Sequence, residues 1–560
     1  MELNTNIPLP LQRLYQWEQS RPSDIYMTQP MGGDIVQDYT WQRTAQEVRR
    51  MATYLKSLNL PADAKVGILS KNCSYWIMAD LAIWMAGYVS VPLYPTLNAE
   101  TVEKILEHSE TQVLLIGKLD DWSMMKDGIS ADLKCISTAL SPDDVKAKYP
   151  QWDDIVAKNA PMQESPTRKH DELATIVYTS GSTGMPKGVM LSFGAMVAAG
   201  NGAANANGLT KDDRMLSYLP LAHVFERYAV EMTSLDKGFR LFFAESLDTF
   251  LKDLQRATPT MFISVPRLWL KFQAGVVAKL PQKKLDKLLK IPGVSFLIRK
   301  KILKGLGLNH VRLAASGSAP LSEDIINWYR RLGLELLEGY GMSENFAYSH
   351  IMKPGRVRVG YVGEPLPGVQ QRISADGEIQ IKSPGTMMGY YKEPEKTAET
   401  FTDDGFLKTG DRGEIDEMGR LKITGRTKEI FKTSKGKYVA PAPIENKLVS
   451  HPDVEMVCVA GVEQPQPYAL LMLSEGTWPK RNTPEVRERL EKELPELIKS
   501  VNATLDPHEH LQFVVVVKDQ WTIENAFLTP TMKMKRNVIE DQYKSQVEGW
   551  YNARKKVIFE

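Results

Sequence analysis

The stretch ATIVYTSGSTGMPKGVMLS, from Ala174 to Ser192, combines two apolar runs with a loop rich in hydroxyl groups and glycine. The runs at residues 174–178 and 189–191 are typical of strands, and the segment between them is typical of a loop. Glycine lets a backbone approach a ligand closely, while hydroxyl groups, backbone N–H groups and Lys187 can point at phosphate oxygens. The pattern fits either a phosphate-binding loop or an ordinary flexible surface loop.

The loop departs from the Walker A pattern, because Gly181 is not followed at the required spacing by Gly-Lys-Ser/Thr. An ordinary P-loop ATPase is therefore disfavoured. The eight histidines show no metal-binding spacing such as HExxH, and the three cysteines, Cys73, Cys135 and Cys458, form no CxxC. Neither a disulfide framework nor a structural zinc site is expected, and a reducing cytosol fits this cysteine usage.

Length and composition indicate a globular protein of more than one domain. A chain of 560 residues exceeds what one compact core normally holds, so two or more domains are expected. With 43% hydrophobic and 25% charged residues, extensive disorder is not expected. The net charge is only +2, from 70 basic and 68 acidic residues, which argues against a dedicated nucleic-acid-binding protein.

The sequence shows no clear targeting signal or membrane-spanning segment. Residues 1–22 lack the basic and apolar regions of a secretory signal, and residues 557–560 carry no lipidation motif. The longest apolar stretch, residues 76–93, contains Asp80 and Pro92, which favours a buried helix followed by a strand over a membrane span. We therefore expect a cytoplasmic protein, with peripheral membrane contact left open.

Strands and helices alternate in the first part of the chain. The pattern predicts the helices 40–58, 76–86 and 99–109 and the strands 35–39, 65–69, 89–93 and 113–116. Such alternation is typical of layered α/β architecture. Residues 141–172 are polar and hold several prolines, which favours a connection.

The pattern changes near the end of the chain. Residues 360–425 contain short β runs separated by Gly and Pro, which predicts a β-rich subdomain. A smaller α/β unit then follows, with the helices 443–448 and 484–500 and the strands 454–462, 469–473 and 512–517. We expect a large N-terminal domain, residues 1–427, and a small C-terminal α+β domain, residues 428–560.

Two further segments place polar side chains after predicted strands. A strand ending at Pro220 would put His223 at its carboxyl end, where open α/β sheets bind ligands, although a lone histidine is often structural. A strand ending in Gly339-Tyr340-Gly341 is followed by Ser343 and Glu344. Glu344 has the oxygen chemistry of a Mg²⁺ ligand, but a tight turn with a helix cap explains this segment equally well.

Residues 279–304 form a basic segment with nine Lys or Arg residues and one acid, Asp286. Leucine, isoleucine and phenylalanine are interleaved with these charges. The segment fits the solvated faces of two surface helices, which is the simpler interpretation. It also fits contact with an anionic membrane surface or a polyanionic substrate.

Five separated motifs together resemble the adenylate-forming enzymes, which include acyl-CoA synthetases, luciferases and peptide-synthetase adenylation domains. The motifs are TSGSTGMPKG (179–188), GSAP (317–320), GYGMSE (339–344), TGD (409–411) with GRTKEIFKTSKGK (425–437), and LTPTMKMKR (528–536). They occur in the family's order over nearly the whole chain. PLAHVFER (220–227) and TSKGKYVAP (433–441) look like the long-chain fatty acid–CoA ligases.

The resemblance implies two half-reactions on a fatty acid. The carboxylate attacks the α-phosphate of MgATP, which gives an acyl-adenylate and pyrophosphate, and the thiol of coenzyme A then displaces AMP. It also implies roles for single residues. The ATP-binding set would comprise Thr179, Ser180, Gly181, Ser182, Thr183, Gly184, Lys187, Gly317, Ser318, Ala319, Glu338, Gly339, Tyr340, Ser343, Asp411, Arg426, Lys428 and Lys432.

Within that set, the resemblance places the loop 179–188 on the β- and γ-phosphates and Ser343 on the α-phosphate. Asp411 would bind the ribose hydroxyls, and Thr179 with Glu344 would lie near Mg²⁺. Lys533 matches the family's adenylation lysine, with its neighbour Lys535 as the alternative. Catalysis would thus rest on Lys533, Glu344 and Thr179.

The resemblance also implies an acyl pocket and a moving domain. His223, Phe225 and Tyr228 would line the acyl pocket or its gate, and Lys428 occupies the family's hinge position. Two alternatives stay open: a fatty acyl-AMP or acyl-carrier-protein ligase, and a non-catalytic nucleotide-binding protein of the same fold. Acyl chain length, coenzyme A contacts and oligomeric state are not determined by these motifs.

Overall fold

The computed structural model describes residues 4–179, 186–529 and 532–560. Five residues of the expected phosphate-binding loop, Ser180, Gly181, Ser182, Thr183 and Gly184, lie outside this part of the chain. The strands on either side of that loop pair antiparallel, with Thr179 opposite Lys187, as the strand–loop–strand pattern predicts.

The largest sheet has seven strands and carries the quoted stretch near one edge. Its strands, in spatial order, are Gly389–Tyr390, Lys187–Ser192, Leu173–Thr179, Val89–Leu93, Lys65–Leu69, Thr111–Ile116 and Lys134–Ser137. The last five run parallel to one another, and the first two pair antiparallel. Strands of a parallel sheet are buried on both faces, which explains their nearly continuous apolar sequences.

Two further sheets complete the layered α/β part. The first has five strands, in the order Met261–Ser264, Leu313–Ser316, Leu336–Tyr340, His350–Ile351 and Glu364–Pro365. The second has four strands, in the order Ile35–Thr40, Ile25–Gly32, Arg240–Phe243 and Arg214–Ser217.

The helices of this part cover the sheets. They are Pro10–Ser20, Trp41–Ser57, Ser74–Met85, Ala99–Ser109, Asp143–Lys148, Trp152–Lys158, Phe193–Ala206, Val224–Glu226, Thr233–Lys237, Phe250–Ala257, Pro266–Lys279, Gln282–Leu289, Val294–Gly305 and Glu323–Arg331. A wider helical turn of the π type, Arg227–Met232, joins Val224–Glu226 to Thr233–Lys237. Every residue of Ser74–Met85 is buried, so this helix is apolar because it crosses the core.

The β-rich subdomain is an antiparallel sheet of four strands, Gln370–Ile373, Glu378–Lys382, Leu407–Ile415 and Leu421–Arg426, with the helix Pro394–Thr400 beside it. The C-terminal part has the mixed sheet Val454–Ala460, Tyr468–Leu473, Val514–Val516 and Val557–Phe559, and a short pair of strands, Phe431–Lys432 and Tyr438–Val439. Its helices are Pro441–Leu448, Pro484–Asn502, Arg536–Tyr543 and Val547–Ala553. Two apolar clusters within residues 431–559 cover this sheet.

The observed architecture is the α/β fold that the sequence predicts, with local differences. Residues 141–172 contain two short helices, and the helix predicted over 443–448 begins at Pro441. The strand expected to end at Pro220 ends at Ser217. Beyond it, Asn72 and Glu226 take the backbone hydrogen bonds that a neighbouring strand would take: the Leu219 carbonyl accepts from Asn72, and the Tyr218 amide donates to Glu226.

No helix of the described residues combines the length and the apolar character that a membrane crossing requires.

A fully buried arginine joins three elements of the large part. Arg227 makes ion pairs with Asp80 and with Glu231, the latter at 3.1 Å, and its Nη1 donates to the Thr175 hydroxyl at 2.8 Å. The rings of Trp76 and Trp84 lie over the guanidinium. Burial and the neighbouring Asp80 carboxylate raise the pKa of Glu231 well above its ordinary value. The Arg227 guanidinium thus faces the carboxyl groups of Asp80 and Glu231, and the raised pKa favours the protonated form of Glu231.

We expect Arg227→Ala to lower the free energy of unfolding of the N-terminal part by about 3–5 kcal/mol, because two buried carboxyl groups lose their cation. Denaturant unfolding followed by tryptophan fluorescence measures this loss. Arg372→Ala is the control, since the side chains of Arg372 and of its partner Asp404 are about half exposed and such ion pairs contribute little to stability. If Arg227→Ala and the control unfold at the same denaturant concentration, the prediction is contradicted.

Candidate active site

One cleft gathers the site residues that the sequence predicts. It has a volume of about 2330 Å³ and is lined by residues from both the large part and the C-terminal part. The lining includes Thr179, Lys187, His223, Phe225, Tyr228, Gly317, Ser318, Ala319, Glu338, Gly339, Tyr340, Ser343, Glu344, Asp411, Arg426, Lys428, Lys432 and Lys533. Every predicted site residue within the described ranges therefore borders the same space.

Asp411 is held between two sheets. It lies on the strand Leu407–Ile415, where Arg426 is its direct partner on the neighbouring strand. The Tyr340 hydroxyl, at the end of its own strand, donates to Asp411 Oδ2 at 2.6 Å, and Arg426 Nε donates to Oδ1 at 3.2 Å. Each carboxylate oxygen thus has one partner and keeps a lone pair, which suits binding to a pair of neighbouring hydroxyl groups.

Glu338 offers an unusual buried oxygen beside the turn 317–319. Its Oε1 accepts from the Leu321 amide at 2.8 Å and so fixes the chain beyond the strand Leu313–Ser316. Its Oε2 is buried and has no hydrogen-bond partner among the described residues. Burial raises the pKa of Glu338 to about 7. A buried polar atom without a partner is costly, so this oxygen is suited to a polar ligand in the cleft.

The turn itself depends on one close contact. Ser318 adopts a left-handed backbone conformation, with φ of 70°. A side chain at Gly317 would lie 3.1 Å from the Phe225 ring. Glycine therefore lets the segment after His223 pack closely against this turn, which brings part of the predicted ATP-binding set and the predicted acyl gate together.

A tyrosine that sequence reasoning missed orients Glu344. The Tyr390 hydroxyl donates to Glu344 Oε1 at 2.8 Å, and Lys187 Nζ lies 5.1 Å from the centre of the Tyr390 ring. Tyr390 belongs to the edge strand of the large sheet, next to the strand that carries Lys187. No motif marks Tyr390, because its position depends on sheet pairing between distant segments.

The carboxylate of Glu344 and the hydroxyl of Thr179 are oxygen donors of the kind that Mg²⁺ prefers. Both residues border the cleft, and the hydrogen bond from Tyr390 leaves the second oxygen of Glu344 for another partner. This donor chemistry fits a magnesium ion.

Lys533 enters the cleft from the C-terminal part. Its amide donates to the Thr529 hydroxyl at 3.0 Å, and its carbonyl accepts from the Thr529 amide at 2.8 Å. Lys533 is exposed along the cleft. Surrounding protein atoms and Arg426 nevertheless lower its pKa, while Asp411 and Glu344 act in the opposite direction. The side chain therefore lies in the field of the predicted ribose and metal ligands.

The alternative lysine, Lys535, also borders the cleft, and its backbone lies at the start of a helix. Its amide donates to the Phe527 carbonyl at 2.8 Å, and it immediately precedes the helix Arg536–Tyr543. The next residue, Arg536, makes two hydrogen bonds to Glu445, at 2.7 and 3.0 Å. This pair, which the motifs do not reveal, fastens the lysine-bearing segment to the C-terminal part.

His223 is a neutral ring at the wall of the cleft. Burial, together with the charge of Lys533, lowers the pKa of His223 to about 3. Its Nδ1 accepts from the Phe225 amide at 3.1 Å, so the proton of the neutral ring is on Nε2. Tyr228 is buried and meets the rings of Phe346 and Tyr348 edge-on. These aromatic groups give this wall an apolar surface suited to a hydrocarbon chain.

Two family models match the chain. The model described as AMP-binding enzyme matches residues 15–391, and the one described as AMP-binding enzyme C-terminal domain matches residues 428–555.

Curated relatives match over nearly the full length. The chain is 32% identical to the long-chain-fatty-acid–CoA ligase FadD15 of Mycobacterium bovis, over 96% of each chain. It is 29% identical to the long-chain-fatty-acid–CoA ligase 1 of Homo sapiens, over 93% of this chain and 83% of that relative.

Solved structures share the fold. The A domain of carboxylic acid reductase from Segniliparus rugosus, solved with AMP and a co-purified carboxylic acid, has a TM-score of 0.79 at 20% identity, over 97% of this chain and 94% of that chain. The anthranilate CoA ligase AuaEII, solved with anthranoyl-AMP, has a TM-score of 0.79 at 18% identity, over 98% of this chain and 99% of that chain. The shared fold, the two matching models and the full-length relatives show that this chain belongs to the AMP-binding, adenylate-forming enzyme family.

Proposed function

We propose that the protein is an ATP-dependent fatty acid–CoA ligase. It activates a fatty acid as the acyl-adenylate, with release of pyrophosphate, and then transfers the acyl group to coenzyme A, with release of AMP. One observation carries the proposal most directly: Lys533, from the C-terminal part, lies in the same cleft as Asp411, Glu344 and Arg426. The relatives named above are long-chain-fatty-acid–CoA ligases, which supports a long-chain acid as the substrate.

ATP would bind along the cleft in a defined direction. Asp411 would accept hydrogen bonds from the ribose hydroxyls, and the unpartnered oxygen of Glu338 would meet a polar edge of the adenine. Gly317, Ser318, Ala319, Gly339 and Tyr340 would border the base, and Ser343 would contact the α-phosphate. Lys187, with the loop 180–184 that lies outside the described residues, would hold the outer phosphates. Lys428 and Lys432 add positive charge to the lining of the cleft.

Adenylation needs positioning and charge stabilisation more than a protein nucleophile. The substrate carboxylate attacks the α-phosphorus, and pyrophosphate leaves. Lys533 would stabilise the negative charge that develops between the carboxylate and the α-phosphate. Thr179 and Glu344 would hold Mg²⁺, which neutralises phosphate charge when it is bound.

Thioester formation requires a second arrangement, because Lys533 occupies the space beside the reacting centre in the first one. We propose residues 1–427 and 428–560 as the two domains and Lys428 as the hinge between them. Separate apolar clusters within residues 431–559 support movement of the C-terminal domain as one unit. The coenzyme A thiol then attacks the acyl carbonyl, and AMP leaves.

The fatty acid would lie against Phe225 and Tyr228, with the neutral His223 near its carboxylate end. Because long-chain acids partition into bilayers, peripheral contact with a membrane is part of the proposal. A coenzyme A thioester assay with short- to long-chain acids tests the function. Accumulation of acyl-adenylate without thioester, or transfer only to a carrier protein, would favour the alternative ligases, and no adenylate with any acid would favour a non-catalytic protein.

Lys533→Ala is expected to lower carboxylate-dependent pyrophosphate exchange by about 100-fold or more, because the developing charge loses its cation. ATP binding, measured by calorimetry, is expected to persist. Lys535→Ala serves as the matched control and should retain most of the exchange activity. Exchange by Lys533→Ala at the wild-type rate would refute the role assigned to Lys533.

Tyr390→Phe is expected to raise the Mg²⁺ concentration for half-maximal pyrophosphate exchange by about tenfold, because Glu344 loses the hydroxyl that orients it. The neighbouring Tyr391→Phe is the control, since the Tyr391 hydroxyl donates to Glu110 instead. A Mg²⁺ titration of both variants makes the comparison. Equal half-maximal concentrations would show that Glu344 does not depend on Tyr390 for metal binding.

A further inference from the structure

Residues 279–304, here called the basic hairpin, form a surface feature outside the cleft. The helices Gln282–Leu289 and Val294–Gly305 lie side by side, as the simpler interpretation of this segment predicts. Their inner faces pack on the apolar cluster around Trp269 and Trp328. The inner residues are Leu285, Leu289, Ile298, Ile302 and Leu303. These contacts attach the hairpin to the large part of the protein.

The outer face carries large apolar residues that belong to none of the apolar clusters of the described residues. Phe296 is 66% exposed, Leu297 is 65% exposed and Ile291, in the turn between the helices, is 47% exposed. Exposing large side chains to water is unfavourable, and three of them close together on one hairpin form a surface that suits an apolar partner.

Lysines continue the same face of the second helix. Lys300 and Lys304 follow Phe296 at intervals of four residues, and Lys301 follows Leu297 at the same interval, so all five share one exposed helix face. On the first helix and the turn, Lys283, Lys284, Lys287 and Lys290 are also exposed. This exposed face therefore has an apolar patch at one end, and lysines surround that patch.

These lysines are not neutralised within the protein. In the described part of the chain, none of the hairpin's lysines forms a salt bridge with an acidic side chain, within the hairpin or outside it. The hairpin's one acid, Asp286, pairs with Arg331 of the neighbouring helix at 2.7 Å. A local excess of positive charge remains on a protein whose net charge is only +2.

We propose that the basic hairpin docks on the surface of an anionic phospholipid bilayer, with Phe296 and Leu297 entering the acyl boundary and the lysines meeting lipid phosphates. Exposed apolar side chains framed by lysines are the features of an interfacial helix. A nucleic acid or an acidic protein would use the lysines but would not require the two inserted apolar residues.

The position of the hairpin suits delivery of a membrane-borne substrate. The Trp328 indole donates to Gln282 at 3.0 Å, which joins the hairpin to the helix Glu323–Arg331. That helix places Glu323 and Asn327 at the wall of the cleft. Docking would thus hold the cleft close to the lipid. Substrate delivery rests on the proposed function, whereas docking itself does not, because lipid binding is measured without catalysis.

Co-sedimentation of the full chain with vesicles tests the proposal. Vesicles of phosphatidylglycerol and phosphatidylcholine in equal parts should bind the protein, and phosphatidylcholine alone should bind it far more weakly. The variant Lys300→Glu with Lys301→Glu should bind at least about 30-fold more weakly, because the attraction of two lysines is lost and two new carboxylates are repelled by the anionic surface. Phe296→Asp with Leu297→Asp should bind about tenfold more weakly or worse, because insertion is lost.

Matched substitutions elsewhere serve as controls. Lys480→Glu with Lys492→Glu makes the same charge change on the C-terminal part, and Met418→Asp replaces another exposed apolar residue. Both should bind vesicles like the wild type. All variants should keep wild-type thioester formation with a water-soluble acid. If no variant or wild-type protein forms thioester while vesicle binding follows the expected order, the proposed function fails and the docking inference stands.

Two results would overturn the docking inference. One is equal vesicle binding by the wild type and both hairpin variants. The other is a dimer in lipid-free buffer, seen by light scattering, that Phe296→Asp with Leu297→Asp dissociates, because the apolar face would then be a contact between two copies.

Discussion

The buried guanidinium of Arg227 is the interaction on which the geometry of the large part depends. It binds Asp80 of the buried helix, Thr175 of the strand that leads to the phosphate loop, and Glu231 of the segment after His223. Because an unpaired charge in the core is very costly, these three elements keep one relative position. Thr179, four residues after Thr175, and His223, four residues before Arg227, both border the cleft, so this contact helps to fix their positions.

Around the cleft, three carboxylates are each held by a partner from another segment. Tyr340 and Arg426 hold Asp411, Tyr390 holds one oxygen of Glu344, and the Leu321 amide holds one oxygen of Glu338. In each case a second oxygen or lone pair remains for a ligand. Preorganised polar groups of this kind lose little on binding, which suits a site that works by stabilising charge.

Buried and exposed cations have different roles in this protein. In the core, Arg227 pairs with two carboxyl groups and thereby fixes the relative positions of the elements that carry them. The lysines of the basic hairpin are instead exposed and have no acidic partner in the described part of the chain. The prediction of two surface helices is confirmed, since their inner residues pack on the apolar cluster around Trp269 and Trp328 and their lysines are exposed. Exposed Phe296 and Leu297 change the interpretation of the hairpin's outer face, since a solvated helix has no need of them.

Local pattern alone predicted the alternating α/β elements, the strand–loop–strand around residues 174–192 and the motifs that meet in the cleft, because periodicity and glycine placement are local properties. It did not predict Tyr390, the Arg536–Glu445 pair or the core role of Arg227, because each depends on contacts between residues far apart in the chain. The strand expected to end at Pro220 was wrong for the same reason: Asn72, distant in sequence, takes the hydrogen bonds there. Tertiary structure alone decided which charges are buried with partners and which remain for ligands, since burial is a property of the packed chain.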